Sequence, residues 1–339
     1  MLKIGVIGSG FGVIGLMPAF NSVKDCKVIA ICAKRSETLD NYCDQMGIKN
    51  IYPDWRLLLE NEDLNAVAIS VTPNAQYEIT KVAISKGLHV FAEKPLTVNV
   101  KQARELLSLA KKMKVTHGVD FIFPEIAEWK KVKELIDSNI FGKLKHISVN
   151  WDWLSGDIKN GRSSWKTNVA EGGGVLSFYF SHGLYYLEHF AGEIIDVKSL
   201  FTYSPKSING GEVEIELLLK FKDSVTGHAH VSCISNGLVR HQLIFKCEHG
   251  IITLENKNSV VDGFIVKTYS RSGEKLIRVN KDEGNKNEDE RVKIVKKLAT
   301  RFVKACATNQ QMKPSFNEGL RVQELIERIR EENNLNERN

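Results

Sequence analysis

The sequence has no dense block of basic residues interleaved with aromatics. Its 339 residues carry Lys+Arg 47 against Asp+Glu 41, and the resulting charge of +6 is spread along the chain. That spread argues against nucleic acid as a partner and leaves phosphate-bearing small molecules compatible. The cysteines (Cys26, Cys32, Cys43, Cys233, Cys247, Cys306) form no close pair and no metal-ligand spacing, the pattern of free thiols in a reducing compartment. No apolar run is long enough to span a bilayer. Residues 1–8 read as a buried strand, not as a charged segment leading into an apolar stretch and a cleavage site. A cytoplasmic protein without a membrane partner is the expectation. Internal repeats and low-complexity tracts are also missing.

What is present is enough chain for two cores. Over residues 1–121 short Val/Ile-rich runs (3–7, 27–32, 66–71, 89–92, 115–119) alternate with helical patterns (13–23, 37–46, 75–85, 100–112). The runs show little polar alternation, as strands buried on both faces do, so the spacing predicts a doubly wound parallel sheet. Residues 122–332 read differently. A helix over 125–138 and a strand over 143–153 precede strand-like segments at 212–221, 227–232, 242–247, 251–254 and 264–269. Several of these alternate apolar and polar positions, which predicts an antiparallel sheet wet on one face. A polar loop over 280–290, helices over 291–308 and 317–330, and a frayed tail over 333–339 complete the expected organisation.

The first expected strand runs into Gly8-Ser9-Gly10-Phe11-Gly12-Val13-Ile14-Gly15 and then a helix, the setting of a dinucleotide-binding turn. Gly8 and Gly10 would let a pyrophosphate approach, Phe11 lies between them and the helix, and Gly12 would relax the helix start. Counting from Gly10 instead fits Gly10, Gly12 and Gly15. The helix N-terminus offers unpaired N–H groups to the anion. After the second strand, where an acidic residue would hold a ribose 2′-hydroxyl, stand Ala33, Lys34, Arg35 and Ser36. Two cations and a hydroxyl attract a 2′-phosphate, so NADP(H) is expected ahead of NAD(H), which stays compatible.

A third segment, Ala92-Glu93-Lys94-Pro95-Leu96, follows the strand-like 87–91 and puts Lys94 at the carboxyl edge of a sheet, where ligands bind in open α/β folds. Pro95 biases Lys94 towards an extended backbone. An ammonium so placed can hold a hydroxyl or move a proton. His228 and His230 share a strand face, with His241 on a neighbouring segment. No further ligand accompanies them, and no metal site is expected.

Together with Thr72-Pro73-Asn74, Glu171-Gly172-Gly173-Gly174-Val175-Leu176 and 318–325, these segments resemble, in order and over nearly the whole chain, the Gfo/Idh/MocA oxidoreductases. The resemblance implies an N-terminal Rossmann domain and a C-terminal α/β domain on a largely antiparallel open sheet. It implies hydride transfer to or from a hydroxyl or keto carbon of a sugar, cyclitol or nucleotide-linked sugar, and a homodimer or homotetramer. Lys94 would touch both substrate and nicotinamide ribose, with Glu93 beside it. Thr72, Pro73 and Asn74 would line the cofactor. Trp165 and Lys166 stand where relatives carry a substrate-touching pair. The chain also departs from the pattern. His182 is kept, but Phe178 replaces the usual aspartate and Phe180 a glycine. If residues 175–190 are helical, Tyr179, His182 and Tyr186 share one face, and Tyr179 or Tyr186 could serve as the auxiliary proton donor. Two alternatives stay open: a cofactor-binding regulatory protein whose catalytic dyad has decayed, and a redox-assisted glycoside hydrolase.

Overall fold

The computed structural model describes residues 1–204 and 210–336. They form two compact units, Met1–Ile122 with Glu283–Gln323, and Phe123–Asp282 with the remainder from Glu324.

The first unit is built on a six-stranded parallel sheet, β1 (Leu2–Ile7), β2 (Cys26–Cys32), β3 (Asn50–Tyr52), β4 (Ala66–Ile69), β5 (His89–Ala92) and β6 (His117–Val119), in the order β3-β2-β1-β4-β5-β6. The order reverses at β1, so the carboxyl ends of β1 and β4 flank a topological switch point. Strand β4 is buried along its whole length, as a strand covered on both faces must be. The expected helix over 13–23 divides into a π-helical turn, Gly12–Leu16, and an α-helix, Met17–Asn21. Two elements absent from the expected pattern complete this half: β3, and a helix Trp55–Asn61 capped by Asp54, whose carboxylate accepts from the Arg56 N–H.

The stretch 283–323, expected with the second domain, belongs to the first. Its helix Val292–Ala307 buries Ile294, Val295, Leu298 and Phe302. The Phe302 ring stands edge-on to Phe20 at 6.0 Å and to Phe91 at 5.6 Å, filling the space under the parallel sheet. A further return contact follows, the Phe316 N–H donating to His117 Nδ1 at 3.1 Å.

The second unit carries an eight-stranded sheet of β7 (Leu144–Asp152), β8 (Ile194–Tyr203), β9 (Glu212–Phe221), β10 (Thr226–Ser232), β11 (Arg240–Cys247), β12 (Ile251–Asn256), β13 (Ile265–Ser270) and β14 (Gly273–Ile277), ordered β14-β13-β12-β11-β7-β10-β9-β8. Every pairing is antiparallel except β7 with β10. Helices Ala127–Asp137 and Ser181–Ala191 bury Trp129, Val132, Tyr186 and Leu187. The last helix runs Phe316–Asn336, and Asn333 within it is buried, so the expected fraying from 333 does not occur in the described part. Residues 337–339 lie outside the described residues. All six cysteines are free thiols. Burial pushes Cys26, Cys233 and Cys306 up to about 12, which keeps them protonated and inert. Among the described residues no helix is long and apolar enough to cross a membrane.

Candidate active site

In the first unit the carboxyl ends of β1, β2, β4, β5 and β6 gather the chemistry. Gly8 has φ +141°, and a Cβ there would lie 2.0 Å from the Ser70 carbonyl oxygen. Glycine is demanded here by the approach of the chain leaving β4, a reason the sequence alone did not show. Above Gly10 the space a Cβ would enter is open for 4 Å, the room a pyrophosphate needs at this turn. At Gly12 an added Cβ meets only ordinary contacts at 3.6 Å, whereas at Gly15 it would lie 2.2 Å from the Phe11 ring. Gly15 is therefore the close-packing glycine of the turn, and its neighbour is Phe11. The Arg291 guanidinium lies over the Phe11 ring, 4.2 Å from its centroid.

A cavity of about 660 Å³ opens beside the turn and is lined by Gly8, Ser9, Ala33, Lys34, Tyr52 and Trp55, among others. Ser9 ties its walls together, Oγ accepting the Lys34 N–H at 2.7 Å. The Arg35 guanidinium pairs with Asp40 at 2.9 Å. Ser36 caps helix Glu37–Met46, Oγ accepting from the Leu39 N–H at 3.2 Å. Tyr52 and Trp55 were missed from sequence. The Arg56 guanidinium lies 4.3 Å over the Trp55 ring, so the cavity has an aromatic wall backed by a cation. A cavity of this size, next to an open glycine turn and edged by Lys34 and Arg35, fits the phosphate-bearing end of a dinucleotide.

Thr72 ends the β4 loop in an extended conformation, and Pro73 opens the helix Pro73–Ser85 at a position that needs no N–H. Gln76, one turn on, is buried and also escaped the sequence reading. Its Nε2 donates to the carbonyl oxygens of Glu93 (2.7 Å), Leu96 (3.0 Å) and Pro95 (3.1 Å). One amide thus holds the backbone on both sides of Lys94, whose peptide bond to Pro95 is cis. The Lys94 N–H donates to Glu93 Oε2 at 3.1 Å. Asp120, at the end of β6, is wholly buried beside Glu93. Its carboxyl is raised well above the usual range, first by burial and then by the charge of Glu93 and a hydrogen bond to it, with Lys94 and Arg291 opposing. Burial alone would lower the Arg291 guanidinium, but its hydrogen bonds to Asp289 and the surrounding carboxylates raise it.

In the second unit the glycine triplet is shaped by its neighbours. A Cβ on Gly173 would lie 2.1 Å from the Trp165 carbonyl oxygen, and one on Gly174, at φ +93°, would lie 2.3 Å from the Glu212 carboxylate. The chain then makes a π-helical turn, Val175–Tyr179, before helix Ser181–Ala191. That break in phase separates the two candidate tyrosines. Tyr179 packs on Trp153 at 4.4 Å and on Phe178 at 4.2 Å, and burial raises its hydroxyl against hydrogen bonds to Ser155 and Trp153. Tyr186 is 0% exposed, packs on Trp129 at 4.9 Å, and bonds His241 Nε2 at 3.2 Å. Burial raises the Tyr186 hydroxyl far above its usual range and pushes His241 down to about 3. Tyr186 is a core residue, and the expectation that it could donate a proton to substrate is corrected. His182 is buried with its ring 5.0 Å from Phe123. Phe178 stands edge-on to Trp165 at 5.0 Å, and Lys166 Nζ lies 4.8 Å over its ring. The position of the usual aspartate is thus an apolar ring engaged by the two residues expected to touch substrate. His228 and His230 both bond Glu216, and His230 also bonds Asp152.

Residues 2–121 match the model of the oxidoreductase family with an NAD-binding Rossmann fold, and residues 129–253 match the GFO/IDH/MocA C-terminal domain. The chain belongs to the Gfo/Idh/MocA family. Among its relatives an uncharacterized oxidoreductase of Synechocystis sp. is 35% identical over 55% of this chain and 50% of its own length. An oxidoreductase of Formosa agariphila is 23% identical over 79% of this chain and 82% of its own. The myo-inositol 2-dehydrogenase of Thermotoga maritima is 29% identical over 42% of each. The chain thus spans half or less of the length of two of these three relatives. Among solved structures, levoglucosan dehydrogenase in complex with NADH and L-sorbose aligns with TM-score 0.83 at 18% identity, covering 98% of this chain and 96% of that one. The 3-ketoreductase KijD10 of Actinomadura kijaniata, in complex with NADP and TDP-benzene, aligns with TM-score 0.81 at 18% identity over 97% of both. In this Gfo/Idh/MocA chain, Phe178 stands where the resemblance leads to the expectation of an aspartate.

Proposed function

We propose that the protein is a nicotinamide-dependent oxidoreductase acting on a hydroxyl or keto carbon of a sugar, cyclitol or nucleotide-linked sugar, with NADP(H) preferred. The observation that carries this is the fixing of Lys94: Gln76 grips the carbonyls on either side of it, at the sheet edge that also bears the open Gly10 turn. Relatives named as inositol dehydrogenases and a dTDP-sugar 3-reductase support the substrate class.

Gly8, Gly10, Phe11 and Gly12 would hold the pyrophosphate, Lys34, Arg35 and Ser36 the adenosine phosphate, and Thr72, Pro73, Asn74 and Glu93 the nicotinamide end. The bound coenzyme supplies the hydride chemistry. The chain supplies orientation and proton handling: Lys94 holds the substrate oxygen and manages its proton, and His182 is the auxiliary proton handler. Trp165 and Lys166 bind substrate, and Tyr179 is the remaining candidate donor. A homodimer or homotetramer in the cytoplasm goes with this reading, supported by Leu200 and Leu218 standing 65% and 62% exposed on the second sheet.

Phe178 favours one other reading, a cofactor-binding protein without turnover. The purified protein should oxidise NADPH with a ketosugar, cyclitol ketone or nucleotide-ketosugar, and Lys94→Ala should abolish this while binding the coenzyme. Tight NADPH binding with no oxidation across such a panel decides for the regulator instead.

A further inference from the structure

Phe11 is the one bulky side chain between Gly8 and Gly12, and its ring is held by two residues. Gly15 packs against it so closely that a Cβ there would lie 2.2 Å from the ring. The Arg291 guanidinium lies over it, 4.2 Å from the centroid. Arg291 stands just before helix Val292–Ala307, far along the chain, yet belongs to the same compact unit as the glycine turn. Asp289 fixes its orientation. Nε donates to Oδ1 and Nη2 to Oδ2, both at 2.7 Å, and the Arg291 backbone N–H donates to Oδ1 at 3.0 Å. These bonds use only the side edge of a planar group with five N–H donors. Among the described residues nothing accepts from Nη1, and the side chain keeps 32% of its surface exposed. An oriented cation with a spare donor edge therefore stands against the ring at the centre of the turn. The same turn is open above Gly10, where a Cβ would meet nothing within 4 Å.

We propose that Arg291 is a coenzyme-binding residue: the free edge of its guanidinium donates to the coenzyme diphosphate at the Gly8–Gly12 turn, while Phe11 and Asp289 hold it in place. This deepens the coenzyme reading above and rests on it. The turn and the helix after it offer backbone N–H donors and a partial positive charge to the anion, and Arg291 adds a full one. Its orientation is set before the ligand arrives, so little freedom is lost on binding. Because NADPH and NADH carry the same diphosphate, Arg291 strengthens both and leaves the choice between them to Lys34 and Arg35.

Nicotinamide fluorescence on the full chain reads this binding without turnover. Arg291→Gln, which keeps a planar polar end and removes the charge, should weaken NADPH and NADH by about tenfold each, as loss of a hydrogen bond to a charged group does. Displacement of bound NADPH by fragments then separates contact from packing. ADP-ribose, which carries the diphosphate, should lose affinity by a similar factor, and adenosine, which carries no phosphate, should keep its wild-type affinity. Unchanged NADPH binding in Arg291→Gln overturns the assignment. Equal losses for ADP-ribose and adenosine also overturn it, because they mark Arg291 as a support for Phe11 alone. A loss confined to NADPH overturns it too, placing the residue at the 2′-phosphate. Should Arg291→Gln fail to fold, Arg291→Lys decides: with the charge kept and the fork lost, ADP-ribose should weaken and adenosine should not, and an unchanged ADP-ribose affinity counts against the contact. A wild type that binds neither coenzyme defeats the coenzyme reading and this inference with it, whereas a wild type that binds both, matched by Arg291→Gln, defeats the inference alone.

Discussion

Arg330 and Glu212 form a buried ion pair, Nη2 to Oε1 at 3.0 Å, with their side chains 18% and 1% exposed. The same guanidinium donates to the Gly173 carbonyl oxygen at 2.7 Å, and the same carboxylate accepts the Leu176 N–H at 3.1 Å. The pair therefore anchors the glycine triplet and the start of the π-helical turn that leads to Tyr179 and His182. Removing one partner leaves the other charge buried, which typically costs about 3–5 kcal/mol. Arg330→Met should lower the urea midpoint accordingly, and Gly174→Ala, forced against Glu212 at a positive φ, should also lower it. An unchanged midpoint in Arg330→Met would mean the pair is dispensable.

Gln76 makes the corresponding prediction for Lys94. Gln76→Leu keeps the volume and removes the amide that binds the Glu93, Pro95 and Leu96 carbonyls. A displacement near 1 Å at a reacting group can cost about 100-fold. The kcat should fall by about 10- to 100-fold while NADPH affinity, read by nicotinamide fluorescence, stays close to wild type. Equal loss of both would place Gln76 in coenzyme binding instead.

The parallel sheet was legible because its strands are short apolar runs in a regular β/α alternation, and the glycine turn and Glu93-Lys94-Pro95 fell at strand ends as that alternation requires. What escaped has physical causes. Strand β8, at the sheet edge, exposes Leu200 at 65%, so its apolar positions do not mark one buried face. The helix Val292–Ala307 is apolar enough for either core, and only the packing of Phe302 against Phe20 and Phe91 assigns it. Tyr186 was read from an unbroken helical phase, which the π-helical turn at Val175–Tyr179 interrupts. Gln76 and Asp120 gave no signal, since a lone polar residue in an apolar segment shows its role only through what it meets.

The proposed preference for NADP(H) rests on Lys34 and Arg35. Arg35 is held by Asp40 at 2.9 Å on an exposed surface, so part of its charge is already engaged. Lys34→Ala/Arg35→Ala should weaken NADPH by about tenfold, roughly 1.4 kcal/mol, and NADH far less. Asp40→Asn, which frees Arg35, should shift preference further towards NADPH. Equal weakening of both coenzymes by the double substitution removes the phosphate assignment.

Tyr186→Phe tests the correction made by the fold. The lost hydroxyl bonds a buried, neutral His241, and a net hydrogen bond of this kind contributes about 1 kcal/mol. Thermal stability should drop slightly and kcat should not change. A tenfold fall in kcat with intact coenzyme binding would return Tyr186 to the chemistry.

Asp120 carries a stability signature whose sign is fixed by the direction of its shift. Its native carboxyl binds a proton more tightly than it does in the unfolded chain, where its ordinary value is 3.8, chiefly because burial penalises the charge. Below that value both states are protonated and pH has no effect through this group. As pH rises past it, the unfolded chain releases its proton and the native chain does not. The native state therefore loses stability until the folded group also ionises. The cost is therefore already present at neutral pH and grows until the folded group ionises. Asp120→Asn, which cannot ionise in either state, escapes it. The variant should melt above wild type at neutral pH, by about 2 °C or more for each kcal/mol relieved, and this advantage should shrink as pH falls towards and below the unfolded value. A melting difference that is flat across this range would show that Asp120 ionises as easily in the native protein as in the unfolded chain.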